Sequence, residues 1–171
     1  GVGWFTYEVV RRLVERHPDW EFLFLFDRPY DASFLLGPNV RPLVVGPPAR
    51  HPLLWMWWFN VALPRVFQRE RPDVFLSTDG HCSLPARVPT LMVTHDIAHV
   101  HFPEQVPFSA RRYYDFFVPR YLARADRLLT VSEFSRQDIA GHYPVSAAEI
   151  GICGNGARAG FRPLSASEKA A

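Results

Sequence analysis

Residues 90–101, Thr-Leu-Met-Val-Thr-His-Asp-Ile-Ala-His-Val-His, constrain the fold more than any other stretch. Thr90 to Thr94 is a short apolar and β-favouring run behind Pro89, and such a run reads as a buried strand. It ends abruptly in a polar cluster of His95, Asp96, His99 and His101. In an open parallel α/β sheet, ligands collect just beyond the carboxyl ends of strands. His95 and Asp96 therefore stand where such a fold places its chemistry. The rest of the chain must build the sheet under this loop or complete the site above it.

The flanking segments supply that sheet. Trp20 to Phe26 is too apolar for a half-exposed strand and fits one covered on both faces. Val40 to Val45, Val74 to Leu76, Asp126 to Val131 and Glu149 to Cys153 are further short strand candidates. Between them lie helical patterns. Phe5, Val9, Val10, Leu13 and Val14 share one stripe that stops near Pro18, which cannot continue a helix. Ser109 is placed to cap a helix over 110–124 with Tyr113, Phe116, Phe117, Tyr121 and Leu122 on its apolar face and a bend at Pro119. Ser132 is placed to cap another that runs to about His142. This alternation predicts an α/β fold, a Rossmann-like parallel sheet with helices on both faces.

A chain of 171 residues suits one domain. With 48% hydrophobic and 21% charged residues it is globular rather than disordered, and a net charge of +2 is too small to argue for a nucleic-acid partner. The two cysteines, Cys82 and Cys153, make no disulfide framework, which favours a reducing, cytoplasmic compartment.

Three features carry alternatives. Gly1-Val2-Gly3 before a helix is either glycine punctuation or a phosphate cradle at the positive helix end. The stretch 52–67 holds Trp55, Trp57 and Trp58, which cannot all face one narrow stripe, and Pro64 should kink it or start a second helix. It reads as a core helix with one exposed Trp, or as a patch made by Leu53, Trp55, Trp57, Trp58 and Phe59 for a membrane surface, a partner subunit or a hydrophobic acceptor. The histidine loop has enough ligands for a metal, but it lacks a helical H-x-x-x-H pair and a thiolate cluster, so hydrogen-bonded loop histidines or a metal-free site fit it better. No Gly-x-Ser-x-Gly is present, and Cys82 is too close in sequence to His81 to form a natural dyad. Asp79 and Asp96 can act as an acid–base pair only if their loops meet.

Val131-Ser132-Glu133-Phe134-Ser135-Arg136-Gln137-Asp138-Ile139, Gly154-Asn155-Gly156 and Phe161-Arg162-Pro163-Leu164 resemble the end of the N-terminal domain of retaining GT-B glycosyltransferases, closest to the family 4 or group 1 class. Gly1-Val2-Gly3 resembles that family's opening glycine loop, Arg71-Pro72-Asp73-Val74 its pre-strand signature and His95-Asp96 its strand end. The set covers nearly the whole chain in the right order.

The resemblance implies one half of a two-domain enzyme. Residues 1–164 would be the acceptor-side domain and 165–171 a linker or frayed tail, while the family's first strand and its C-terminal donor-binding domain lie outside these residues. It implies transfer of a hexose from a nucleotide-sugar to a glycan or lipid-linked acceptor, with no metal or other cofactor and no turnover by this half alone. By the same resemblance Gly1 and Gly3 would line the donor diphosphate, and His95 would contact the donor sugar with Asp96 as its loop partner. Asp79, Ser132, Glu133, Ser135, Arg136 and Asn155 would line the cleft, and the domain would work in the cytoplasm, including the inner face of a membrane. Cys153-Gly154-Asn155-Gly156 stands where the family more commonly has Pro-Asn-Gly. Two other classes stay open: a non-catalytic Rossmann-like binding or assembly domain using residues 53–59, and a metal-dependent hydrolase using the 95–101 loop.

Overall fold

The computed structural model describes residues 1–156 and Lys169. The Phe161–Leu164 motif, the proposed boundary at 164 and the tail, Lys169 apart, lie outside the described residues.

Among the described residues six strands, all paired in parallel, are interspersed with helices. Helix α1 (Val2–Arg16) precedes β1 (Phe22–Phe26) and β2 (Val40–Val44). A long helical stretch then runs as α2 (Pro52–Trp57), a π-helical segment (Trp58–Ala62) and α3 (Leu63–Glu70). Strands β3 (Phe75–Ser77) and β4 (Thr90–Val93) follow, then the short α4 (Ala98–His101) and the long α5 (Phe108–Arg124). Strand β5 (Arg127–Thr130), α6 (Glu133–His142) and β6 (Ile150–Ile152) complete the described part.

The strands form two ladders rather than the single sheet expected, β1–β2 and β3–β4–β5–β6. Pro42 lies within β2 and has no N–H to give a second neighbour, which suits the edge position of that strand. Among the described residues strand β1 pairs only with β2, and its five residues are all half-buried, so the full cover predicted for Trp20–Phe26 is not found. Thr90–Val93, by contrast, pairs on both sides and buries three of its four residues.

Two apolar clusters hold the layers together. One joins Met92, Leu128 and Ile150 of the four-stranded sheet to Tyr113, Phe117, Tyr121 and Leu122 of α5 and Ile139 of α6. The other is built by Trp58, Phe59, Ala62, Leu63 and Phe67, against which Leu25 of β1 and Phe75 of β3 both pack. The Trp-rich stretch therefore bridges the two ladders. Its π segment ends where Leu63 and Pro64 begin α3, so the second helix foreseen at Pro64 is present.

Helix α5 departs from expectation in two details. It begins at Phe108 behind Pro107, with no side-chain cap, so Ser109 lies inside its first turn and is not the N-cap. Pro107 itself supplies the extended entry that a capping residue needs. Phe116 is 51% exposed, not part of the buried face, and the Arg120 guanidinium lies over its ring at 3.6 Å.

Candidate functional site

The carboxyl ends of β3 and β4 meet. Gly80 holds φ = 78°, a left-handed turn, and a Cβ built there would lie 3.7 Å from Thr94 Oγ1 and 3.9 Å from the Val93 carbonyl oxygen. The loop after β3 thus folds directly over the end of β4. The first turn of α1 closes the same place, because Thr6 Oγ1 donates to Thr78 Oγ1 at 2.8 Å and Phe5 sets its ring edgewise to His95 at 4.7 Å. Thr94 Oγ1, in a buried residue, has no hydrogen-bond partner among the described residues. An orphaned hydroxyl at a strand mouth is the kind of group that a ligand or water satisfies.

His95 is half-buried and fixed by two contacts. Its Nε2 stands 3.0 Å from the Thr78 carbonyl oxygen, which can only accept, so Nε2–H donates. Nδ1 makes no hydrogen bond among the described residues. Asp96 is exposed and its Oδ1 accepts from the Ala98 N–H at 3.0 Å, which shapes the turn into α4. The other histidines of the loop diverge. His99 Nε2 meets the Tyr143 hydroxyl at 3.1 Å, while His101 Nε2 meets the Asp138 carboxylate at 2.8 Å. Burial pushes the His99 imidazole down, towards its neutral form. His95, Asp96, His99 and His101 therefore do not converge on one point.

The loop after β3 carries a second polar pair. His81 Nδ1 lies 3.0 Å from the Asp79 carbonyl and 3.7 Å from its carboxylate, and Ser77 Oγ donates to the same carboxylate at 3.1 Å. The Asp79 side chain is 53% exposed. Desolvation alone would raise its pKa, but the His81 interaction and the Ser77 bond outweigh it and hold the carboxyl below its ordinary range. Desolvation would likewise lower His81, and Asp79 overrides it, so that imidazole is raised. Five aromatic rings enclose the pair on one side. Phe59 stacks on His81 at 5.1 Å, and Trp55, Tyr113, Tyr114 and Tyr121 lie within 6.4 Å of it. The Asp79 and Asp96 loops touch where His95 meets Thr78, and each carboxylate has its own partners.

Ser132 caps α6 as expected, its Oγ accepting from the Ser135 N–H at 3.1 Å. Residues 1–159 match the family model described as Glycosyltransferase Family 4. The chain belongs to glycosyltransferase family 4. It is thus a glycosyltransferase domain with a Rossmann-like α/β architecture, which implies transferase chemistry. No curated protein matches the chain.

For a family 4 domain, the expected site residues fall into three groups. His95, Asp96 and Asp79 lie together at the strand ends. Gly1 and Gly3 stand at the exposed N-terminus of α1, with Gly1 as its N-cap, and the fourth and fifth residues of that helix make its link to His95 and Thr78. Ser132, Glu133 and Arg136 sit at the start of α6, where Arg136 Nη2 pairs with Glu133 at 2.5 Å, and Asn155 is exposed. Ser135 is a correction: it is 7% exposed and its hydroxyl meets that of Ser132 at 3.0 Å, so it builds the cap and lines no open surface.

The Trp-rich surface is also corrected. Trp58 and Phe59 are buried, Trp55 and Trp57 half-buried, and the indole N–H groups of Trp55 and Trp58 donate to the carbonyls of Ala49 and Val45. Leu53, 65% exposed, and its neighbour Met56 are what remains outside. No helix among the described residues is long and apolar enough to cross a membrane. Cys82, beside His81, has its thiol pushed up to about 12 by burial, which removes it as a nucleophile. His81 itself is not signalled by any local motif, since the rings around it come from residues 55, 59, 113, 114 and 121.

Proposed function

We propose that this domain is the acceptor-side half of a retaining glycosyltransferase that moves a hexose from a nucleotide-sugar to a glycan or lipid-linked acceptor. A C-terminal donor-binding domain would complete the cleft, with the boundary near residue 164 and residues 165–171 as the linker. The observation that carries the reading is the meeting of the α1 N-terminus, His95 and the Asp79 loop at the carboxyl ends of β3 and β4. His95, with its Nε2–H tied to Thr78, offers Nδ1 to a hydroxyl of the donor sugar beside the reacting carbon. Asp96 shapes the loop that holds this ring. Backbone N–H groups at Gly1 and Gly3 and the positive end of α1 offset charge that grows on the leaving diphosphate, without a metal at that position. Asp79, Ser132, Glu133, Arg136 and Asn155 border the cleft.

The work would take place in the cytoplasm, at the inner face of a membrane when the acceptor is lipid-linked. The test uses the full-length protein with a panel of nucleotide-hexoses and acceptors, and reads the anomeric configuration of the product by NMR. Transfer with retention supports the reading, whereas an inverted product contradicts it. A second reading, a non-catalytic assembly domain, draws on the exposed Leu53 and Met56 on α2. It takes the lead if the full-length protein binds no nucleotide-sugar and self-associates in a way that Leu53→Ser abolishes.

A further inference from the structure

Away from the strand ends, three potential ligands come together on the surface. His101 ends α4, while Asp138 and His142 lie one turn apart on α6 and so face the same way. One ligand-capable atom from each lies within 4.8 Å of the others. His101 Nε2 is 2.8 and 2.9 Å from the two oxygens of Asp138, and His142 Nδ1 is 3.3 Å from one of them.

We propose that His101, Asp138 and His142 form a site for a divalent cation of the zinc class, which ties the end of the histidine loop to helix α6. Charge is the first argument. The Asp138 side chain is only 13% exposed, yet among the described residues it pairs with no Arg or Lys. Its partners are two imidazoles, which carry charge only when protonated. A cation seated among the three groups gives that mostly buried carboxylate a permanent counter-charge. Geometry is the second argument. A tetrahedral ion with bonds of about 2.0–2.2 Å holds its ligands a little over 3 Å apart, close to the 2.8 and 3.3 Å that separate the two imidazole nitrogens from Asp138.

Chemistry selects the ion. Two nitrogens and one carboxylate suit Zn²⁺ or Co²⁺, whereas Mg²⁺ and Ca²⁺ favour shells of oxygen. Both imidazoles must adapt. His101 Nε2–H now donates to the Asp138 carboxylate at 2.8 Å and His142 Nδ1–H to the Asp138 carbonyl oxygen at 2.9 Å, so binding moves each ring proton to the opposite nitrogen and gives up these hydrogen bonds. Both rings are exposed, and solvent can exchange the protons freely. The site is separate from the strand-end histidine, because His95 turns to Thr78 and His99 to Tyr143. Its role is to fix Ala98–His101 against α6, and it does not depend on the transferase reading.

The experiment strips the untagged full chain with EDTA and then titrates Zn²⁺ or Co²⁺. The expected result is one equivalent bound, a visible Co²⁺ absorption of low-symmetry type and a rise in Tm that excess Mg²⁺ does not reproduce. His142→Ala, at an exposed position that leaves the fold intact by circular dichroism, should weaken binding by about 100-fold or more, and His101→Ala likewise. His51→Ala, at an exposed histidine elsewhere, should leave it unchanged. Absence of saturable binding, equal binding by His142→Ala, or equal stabilisation by Mg²⁺ overturns the proposal.

Discussion

At the scale of single residues, the pair Asp79–His81 makes a claim about pH. The His81 pKa is raised, so its contribution to stability is complete below the unfolded imidazole value, ordinarily ~6.5, and is lost as pH rises through the folded value. The Asp79 pKa is lowered, so its contribution is complete above the unfolded value, ordinarily ~3.9, and is lost as pH falls through the folded one. The interaction is therefore strongest between about pH 4 and 6.5. An NMR titration of the imidazole should show the His81 pKa falling in Asp79→Asn, because desolvation then acts without its opponent. An unchanged value would separate the two groups. Gly80→Ala tests the neighbouring turn. Its new methyl has ordinary room at 3.7 Å from Thr94, so the loss of about 1–2 kcal/mol comes from the left-handed backbone alone. Thermal melts check it, and an unaltered Tm would contradict the turn.

The elements show which parts of the chain were legible and which were not. Strand 90–93 is plain from a short apolar run behind Pro89, as its burial demands, while 127–130 and 150–152 are legible as short β-favouring runs although Arg127 and Ile152 are exposed. Ser132 is readable as a cap because capping is local, within three residues. Its change to Ala should cost about 1 kcal/mol in chemical denaturation, and no loss would mean that another group caps α6. The Trp-rich stretch was only half legible. Its length and Pro64 announce a broken helix, but which rings go inside depends on a π segment that turns Trp58 and Phe59 inward together. Trp58→Ala should lose about 3–5 kcal/mol and Leu53→Ala under about 0.5 kcal/mol, as expected for core and surface. Equal losses would place the two residues in the same environment. Phe116 was misread for a similar reason, since periodicity does not show that a guanidinium covers a ring on the wet side.

Over the whole molecule, parallel pairing was legible in the alternation of strand and helix patterns, and the candidate site was placed at the strand that ends in His95-Asp96. The division into two ladders and the aromatic shell of His81 were not legible, because both depend on contacts between segments tens of residues apart. The same long-range closure brings α1, the Asp79 loop and the His95 loop to one place, and on it rests the proposal that His95 acts at the reacting sugar. The direct measurement is kcat/KM for His95→Ala in the full-length enzyme, with folding checked by melting. Loss of a contact made in the transition state should lower it by roughly 30- to 150-fold, equivalent to about 2–3 kcal/mol. A value within about twofold of wild type would remove His95 from the chemistry, since so small a change lies under about 0.5 kcal/mol.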